Sequence, residues 1–273
     1  MSGREQLRSA VLTCAGLCTV AVLAGLMVHD ARFVRISNRG YLQQHRLGPA
    51  DCPSGAYIPV APADAPPVCC IGDGKQPMPC AVSSWRRAEK FLSGKVGAWA
   101  LPLVGPALSA VLGAAAGGAV LRAPLQRRVA VLLVTLAFRS VVLFELLNWA
   151  QRRAQGEAPA CWYAAMRKDS DGCSTRFDFS DHVVLYALHF VLPSCLELLA
   201  LRTESRGGLH TALVGAWCSG LGLFALRAIF HTVGWFHTPA ESLVGWSLAL
   251  ASCVACTQLP LYSDEERERK HLQ

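Results

Sequence analysis

An all-α membrane protein that crosses the bilayer several times is the fold class the sequence predicts, on three observations. Charged residues make up 16% of the 273, against roughly 25% in soluble domains. Mean hydropathy is +0.32. Six apolar runs of about 19 to 25 residues interrupt the polar sequence, each long enough at 1.5 Å per residue to cross a hydrocarbon core of about 30 Å. Residues 1–273 read as one six-span membrane domain, with little chain left for a soluble one.

The first run, Ala10 to Val28, follows Arg4 and Arg8. It is longer than a usual signal-peptide core and no small-residue cleavage site follows, so it reads as an uncleaved signal anchor. Residues 29–95 form a long loop containing Pro59, Pro62, Pro66, Pro67, Pro77 and Pro79, for which neither helix nor strand is predicted. The second run, Val96 to Leu121, carries Gly113-Ala-Ala-Ala-Gly117, a small-residue face suited to close helix packing. The third, Val129 to Trp149, holds Arg139 and Glu145. Six residues apart, these do not share a face, and each is expected to meet a partner on another helix, Glu145 near the histidines described below.

The fourth run, Val183 to Leu201, contains His189 and Glu197, which would line a pocket or satisfy neighbouring polar groups. The fifth runs from Thr211 to Phe230, and the sixth from Leu243 to Leu261. Cys253 and Cys256 on the sixth, like Cys14 and Cys18 on the first, read as small packing residues rather than redox or metal ligands. The tail from Asp264 to Gln273 alternates acid and base and reads as a solvated end.

Lysines and arginines flank both sides of the runs, so charge bias alone does not orient the chain. Cysteines do. Of the 12, Cys52, Cys69, Cys70, Cys80, Cys161 and Cys173 fall in the two long loops of one side, and the rest lie within the runs. Thiols confined in this way suit disulfides in an oxidising lumen, which places both termini in the cytosol.

Two polar breaks carry the candidate chemistry. One spans Phe230 to Glu241, with His231, His237 and Glu241, and the other spans Phe177 to His182. Alternating helix direction brings both to the lumenal face, where titratable groups are costly to keep without a role. Ser180 is placed to cap the fourth helix, whose first amides and positive dipole end would favour a phosphate. Glu241, four residues after His237, can hold one imidazole nitrogen and leave the other as nucleophile, with His182 as general acid. Cationic clamps on the phosphate would come from Arg227, one turn before His231, or from Lys95 and Arg176.

In Phe177-Asp178-Phe179-Ser180-Asp181-His182 and in Phe236-His237 with Glu241 downstream, the chain resembles the fat storage-inducing transmembrane proteins of the endoplasmic reticulum, distant relatives of the lipid phosphate phosphatases. Lys95-Val96-Gly97-Ala98-Trp99 at the second run and Asn148 near the end of the third extend the resemblance loosely over all six spans. It implies a multi-pass reticulum protein with a lumenal site, acting as a fatty acyl-CoA diphosphatase that supports lipid droplet formation. It also implies diacylglycerol and triacylglycerol as ligands, with His182 and His237 at the family's two active-site histidines. No cofactor, no metal and no nucleic-acid partner is expected in this reading.

The chain departs from that pattern at Asp181, where the family carries glycine. A carboxylate there would keep His182 in its proton-donating form and would also repel a phosphate. The basic motif that opens the lipid phosphatase signature is absent, and His231 stands where those enzymes carry an arginine before the nucleophile. Two alternatives stay open: a non-catalytic protein that binds neutral lipid and partitions it into droplets, and, ranked last, a hydrolase holding zinc on His182, His231, His237 and Glu241.

Overall fold

A computed structural model describes residues 3–28, 68–72, 76–79, 88, 91–115, 122–155, 180–203, 208–235, 237 and 239–258. Among the described residues the chain forms six helical rods. These are α1 (Gly3–Met27), α2 (Lys95–Ala115), α3 from Arg122 to Gln155, α4 from Asp181 to Thr203, α5 (Leu209–Trp235) and α6 (Pro239–Cys256). Five are long and apolar enough to cross a membrane. In α2 the apolar helical stretch is the shorter Val96–Leu112, with Pro102 and Pro106 inside the helix, each removing a backbone hydrogen bond. The six-run count thus becomes five such helices plus one shorter apolar helix among the described residues.

α4 is the hub, with 89% of its apolar window buried, and it packs against the other five helices. Apart from the buried His189 and Glu197 its span is apolar on every side, with no stripe for solvent or lipid, and a helix of that kind belongs in the centre. Around it, α1, α3, α5 and α6 bury one side and turn Leu12, Val20, Val141, Leu223 and Val254 outward, an apolar girdle suited to lipid. Gly25 of α1 lies so near α5 that an added Cβ would stand 2.8 Å from the Phe230 carbonyl oxygen, which fixes how closely these rods approach. Hydroxyls inside the girdle bond back to their own helices, as Thr19 does to the Ala15 carbonyl (2.7 Å) and Ser252 to that of Leu248 (2.7 Å).

Several boundaries differ from those the sequence predicts. α5 does not stop at Phe230 but continues to Trp235, so His231 belongs to a helix rather than to a break. α3 extends to Gln155, about 51 Å in all and longer than a hydrocarbon core. The loop expected to lack strands contains β1 (Val68–Gly72) paired antiparallel with β2 (Gln76–Pro79). Most of that loop, the disulfides expected for it and Gly117 of the small-residue face lie outside the described residues.

Two buried polar ties hold the rods in register. Arg128 of α3 and Glu197 of α4 form an ion pair at 3.0 Å, and the Ser109 hydroxyl of α2 donates to the same carboxylate at 3.3 Å. His189 of α4 donates from Nδ1 to the Ala98 carbonyl of α2 at 2.9 Å, beside the edge of Trp99.

Candidate functional site

The two polar breaks meet. The Ser180 backbone N–H donates to the carbonyl of Glu241 at 3.1 Å, so the residue before α4 is bonded to the first turn of α6. The approach depends on Gly245, because a Cβ there would stand 2.5 Å from the Ser180 oxygen and 3.0 Å from its Cβ. Ser180 and Ser242 are fully buried at this corner, and neither Oγ has a hydrogen-bond partner among the described residues.

His237 is only 3% exposed and Glu241 only 1%, although both sit at a helix junction. Nδ1 of His237 faces Oε2 of Glu241 at 3.7 Å, within ion-pair range and longer than a direct hydrogen bond. The i,i+4 spacing thus brings carboxylate and imidazole together as the sequence predicts. Pro239 opens α6 between them, where its fixed φ and missing N–H suit a first helical position.

The remaining predicted site residues fall in different places. His182 lies exposed on the first turn of α4, its ring tilted against Tyr186 at 6.1 Å. Ser180 occupies the N-cap position but makes no side-chain cap bond, which corrects the capping role predicted for it. His231 is buried within α5, and Arg227 is exposed on the same helix. Lys95 begins α2, with its side chain outside the described residues; Arg176 lies outside them altogether. Glu145 is exposed on α3.

Sequence reasoning left Arg139 without a partner and Asp181 as an isolated departure from a motif. The structure joins them: Nη2 of Arg139 donates to Oδ2 of Asp181, linking α3 to the start of α4. The guanidinium also lies over the Phe144 ring, 5.4 Å from its centroid. α3 loosens into a π-helical turn over Phe138–Leu143, where Arg139 sits, and α4 into another over Ala187–Val191, where His189 sits. Such turns are frequent at functional sites.

Away from this corner, Phe91, Leu92, Leu101, Trp217, Leu221 and Phe224 line an apolar cavity of about 320 Å³ between α2 and α5. Cys14 and Cys18 of α1 gather with Cys253 of α6 into one buried thiol cluster, with Cys14 and Cys18 sulfurs 4.0 Å apart. Among the described residues no group of three or more His, Cys, Asp or Glu side chains is arranged to hold a metal ion. No protein-family model, no curated protein and no solved structure matches the chain.

Proposed function

We propose that the chain is a six-span enzyme of the endoplasmic reticulum membrane. Its termini are cytosolic, and its lumenal site cleaves the diphosphate of fatty acyl-CoA to acyl 4'-phosphopantetheine and adenosine 3',5'-bisphosphate in support of lipid droplet formation. The observation that carries this reading is the buried His237–Glu241 pair, held at the corner where Ser180 bonds the first turn of α6. The carboxylate faces Nδ1, so Nε2 is the nitrogen that attacks. A nitrogen–phosphorus bond forms as the bond to the bridging oxygen breaks, and the departing phosphate takes the proton of His182. Water then attacks the phosphohistidine, giving its proton to His182 and restoring His237.

The apolar cavity favours a second reading, in which the chain binds diacylglycerol or triacylglycerol and partitions neutral lipid without chemistry. One assay separates these two from each other and from the zinc hydrolase. Purified protein is incubated with oleoyl-CoA, with and without chelator, and the products are identified by mass. Diphosphate cleavage that survives chelation supports the enzyme. Cleavage lost on chelation supports the zinc hydrolase, and no turnover with triacylglycerol retained in detergent supports the binding protein.

A further inference from the structure

That mechanism leaves a buried guanidinium at the corner of the site unused. Arg139 is 9% exposed and stands halfway along α3. One of its nitrogens donates to Asp181, while its Nε is buried with no hydrogen-bond partner among the described residues. The hydroxyls of Ser180 and Ser242, adjacent in sequence to Asp181 and Glu241, are likewise unpartnered there. A guanidinium offers five N–H groups in a rigid fork that fits two oxygens of a carboxylate or phosphate. Here one carboxylate uses only part of that fork.

We infer that Arg139 is the oxyanion-binding residue of this site, that its ligand is a phosphate or diphosphate group, and that Asp181 is a resident counter-ion which the ligand displaces. The inference deepens the diphosphatase reading and rests on it only for what the phosphate is attached to. The pair's asymmetry supports displacement, since the Asp181 side chain is 26% exposed and that of Arg139 11%. The carboxylate is the outer partner, on the same first turn as exposed His182, so an arriving anion meets it before it reaches the guanidinium. Arg227, one of the three cations proposed from sequence, is exposed on α5, and Arg139 is tied directly to the Ser180-Asp181-His182 segment. A phosphate in this seat would face the unpartnered Nε and replace one carboxylate charge with two or more.

The test uses full-length protein in detergent, with inorganic pyrophosphate as the probe, thermal unfolding as the readout and ionic strength held constant with chloride. Pyrophosphate should stabilise the wild type saturably, bind D181N at least tenfold more tightly, and leave R139Q unaffected. R139K keeps the charge but loses the fork, and should bind at least tenfold more weakly than wild type. The double variant R139Q/D181N removes both charges together, which should preserve folding and abolish binding. If D181N does not fold, the wild type, R139K and the double variant decide. Equal binding by R139K or R139Q and wild type overturns the inference, as does no response in the wild type and D181N. Tight binding without any oleoyl-CoA turnover would sink the diphosphatase reading and leave the oxyanion seat standing.

Discussion

Gly245→Ala is the sharpest test of how the site is assembled, because it adds one methyl group at the point where α4 and α6 touch. Its Cβ would stand 2.5 Å from the Ser180 oxygen and 3.1 Å from the Ser180 carbonyl carbon. Both are backbone atoms, which cannot swing aside as a side chain does, so the start of α4 must retreat by roughly an ångström. Overpacking of this kind costs about 1–3 kcal/mol. Straining or breaking the 3.1 Å bond from Ser180 to Glu241 adds about 0.5–1.5 kcal/mol. Alanine's helix propensity offsets about 1 kcal/mol of this, for a net loss of about 0.5–3.5 kcal/mol.

Gly16→Ala isolates the propensity term, since a Cβ on Gly16 of α1 meets nothing within 4 Å. Thermal unfolding of both variants, followed by tryptophan fluorescence, should show Gly16→Ala at or above the wild type and Gly245→Ala clearly below it. Turnover should fall further than stability, because a displacement of about 1 Å in a reacting pair costs on the order of a hundredfold in rate. If Gly245→Ala unfolds with Gly16→Ala and turns over at the wild-type rate, the contact between α4 and α6 does not build the site.

Three further outcomes are expected. His182→Ala and His237→Ala should each nearly abolish oleoyl-CoA cleavage, and the double variant should be scarcely worse than either, since nucleophile and acid act as one unit; full activity in His237→Ala at equal expression removes it from that role. Arg128→Ala or Glu197→Ala should each cost about 3–5 kcal/mol in thermal unfolding by leaving a buried charge alone, whereas the double R128M/E197L should cost less than either, and additive losses would contradict a coupled pair. A membrane-impermeant maleimide should fail to reach Cys161 and Cys173 from the cytosolic side after reduction, and labelling from that side would reverse the orientation proposed above.

What the sequence disclosed follows from what hydropathy measures. α4 was legible as a span, and its central place follows from the same feature, since apolar residues occupy every side of it. The end of α5 was misplaced because His231 and Gly234 look like punctuation. Yet backbone hydrogen bonding continues through them, and His231 is buried at that point. The far end of α3 escaped notice for the opposite reason: Gln151, Arg152 and Arg153 are too polar to lie in a hydrocarbon core, while nothing prevents a helix from continuing beyond it. The hairpin from Val68 to Pro79 did leave a signal, the Asp73-Gly74 pair between its strands, which the abundance of proline obscured. With two strands in the sheet among the described residues, each is an edge, a sheet position that tolerates Pro77 and Pro79.

The candidate site was legible where it depends on local spacing and hidden where it depends on partner choice. His237 stands two residues before α6 and Glu241 in its first turn, so their meeting needs only the start of α6 and the bend that leads into it. Arg139 and Asp181 are 42 residues apart on different rods, and no periodicity in either run names the other. Each alone posed a problem of opposite sign: an arginine inside an apolar helix needs an anion, and a carboxylate beside a phosphate site repels the ligand. Their pairing resolves both. Removing Asp181 without Arg139 would leave a buried cation, and removing Arg139 without Asp181 would leave an uncompensated carboxylate at the mouth of the site. Asp181 is therefore one half of a two-residue feature whose other half is Arg139 on α3.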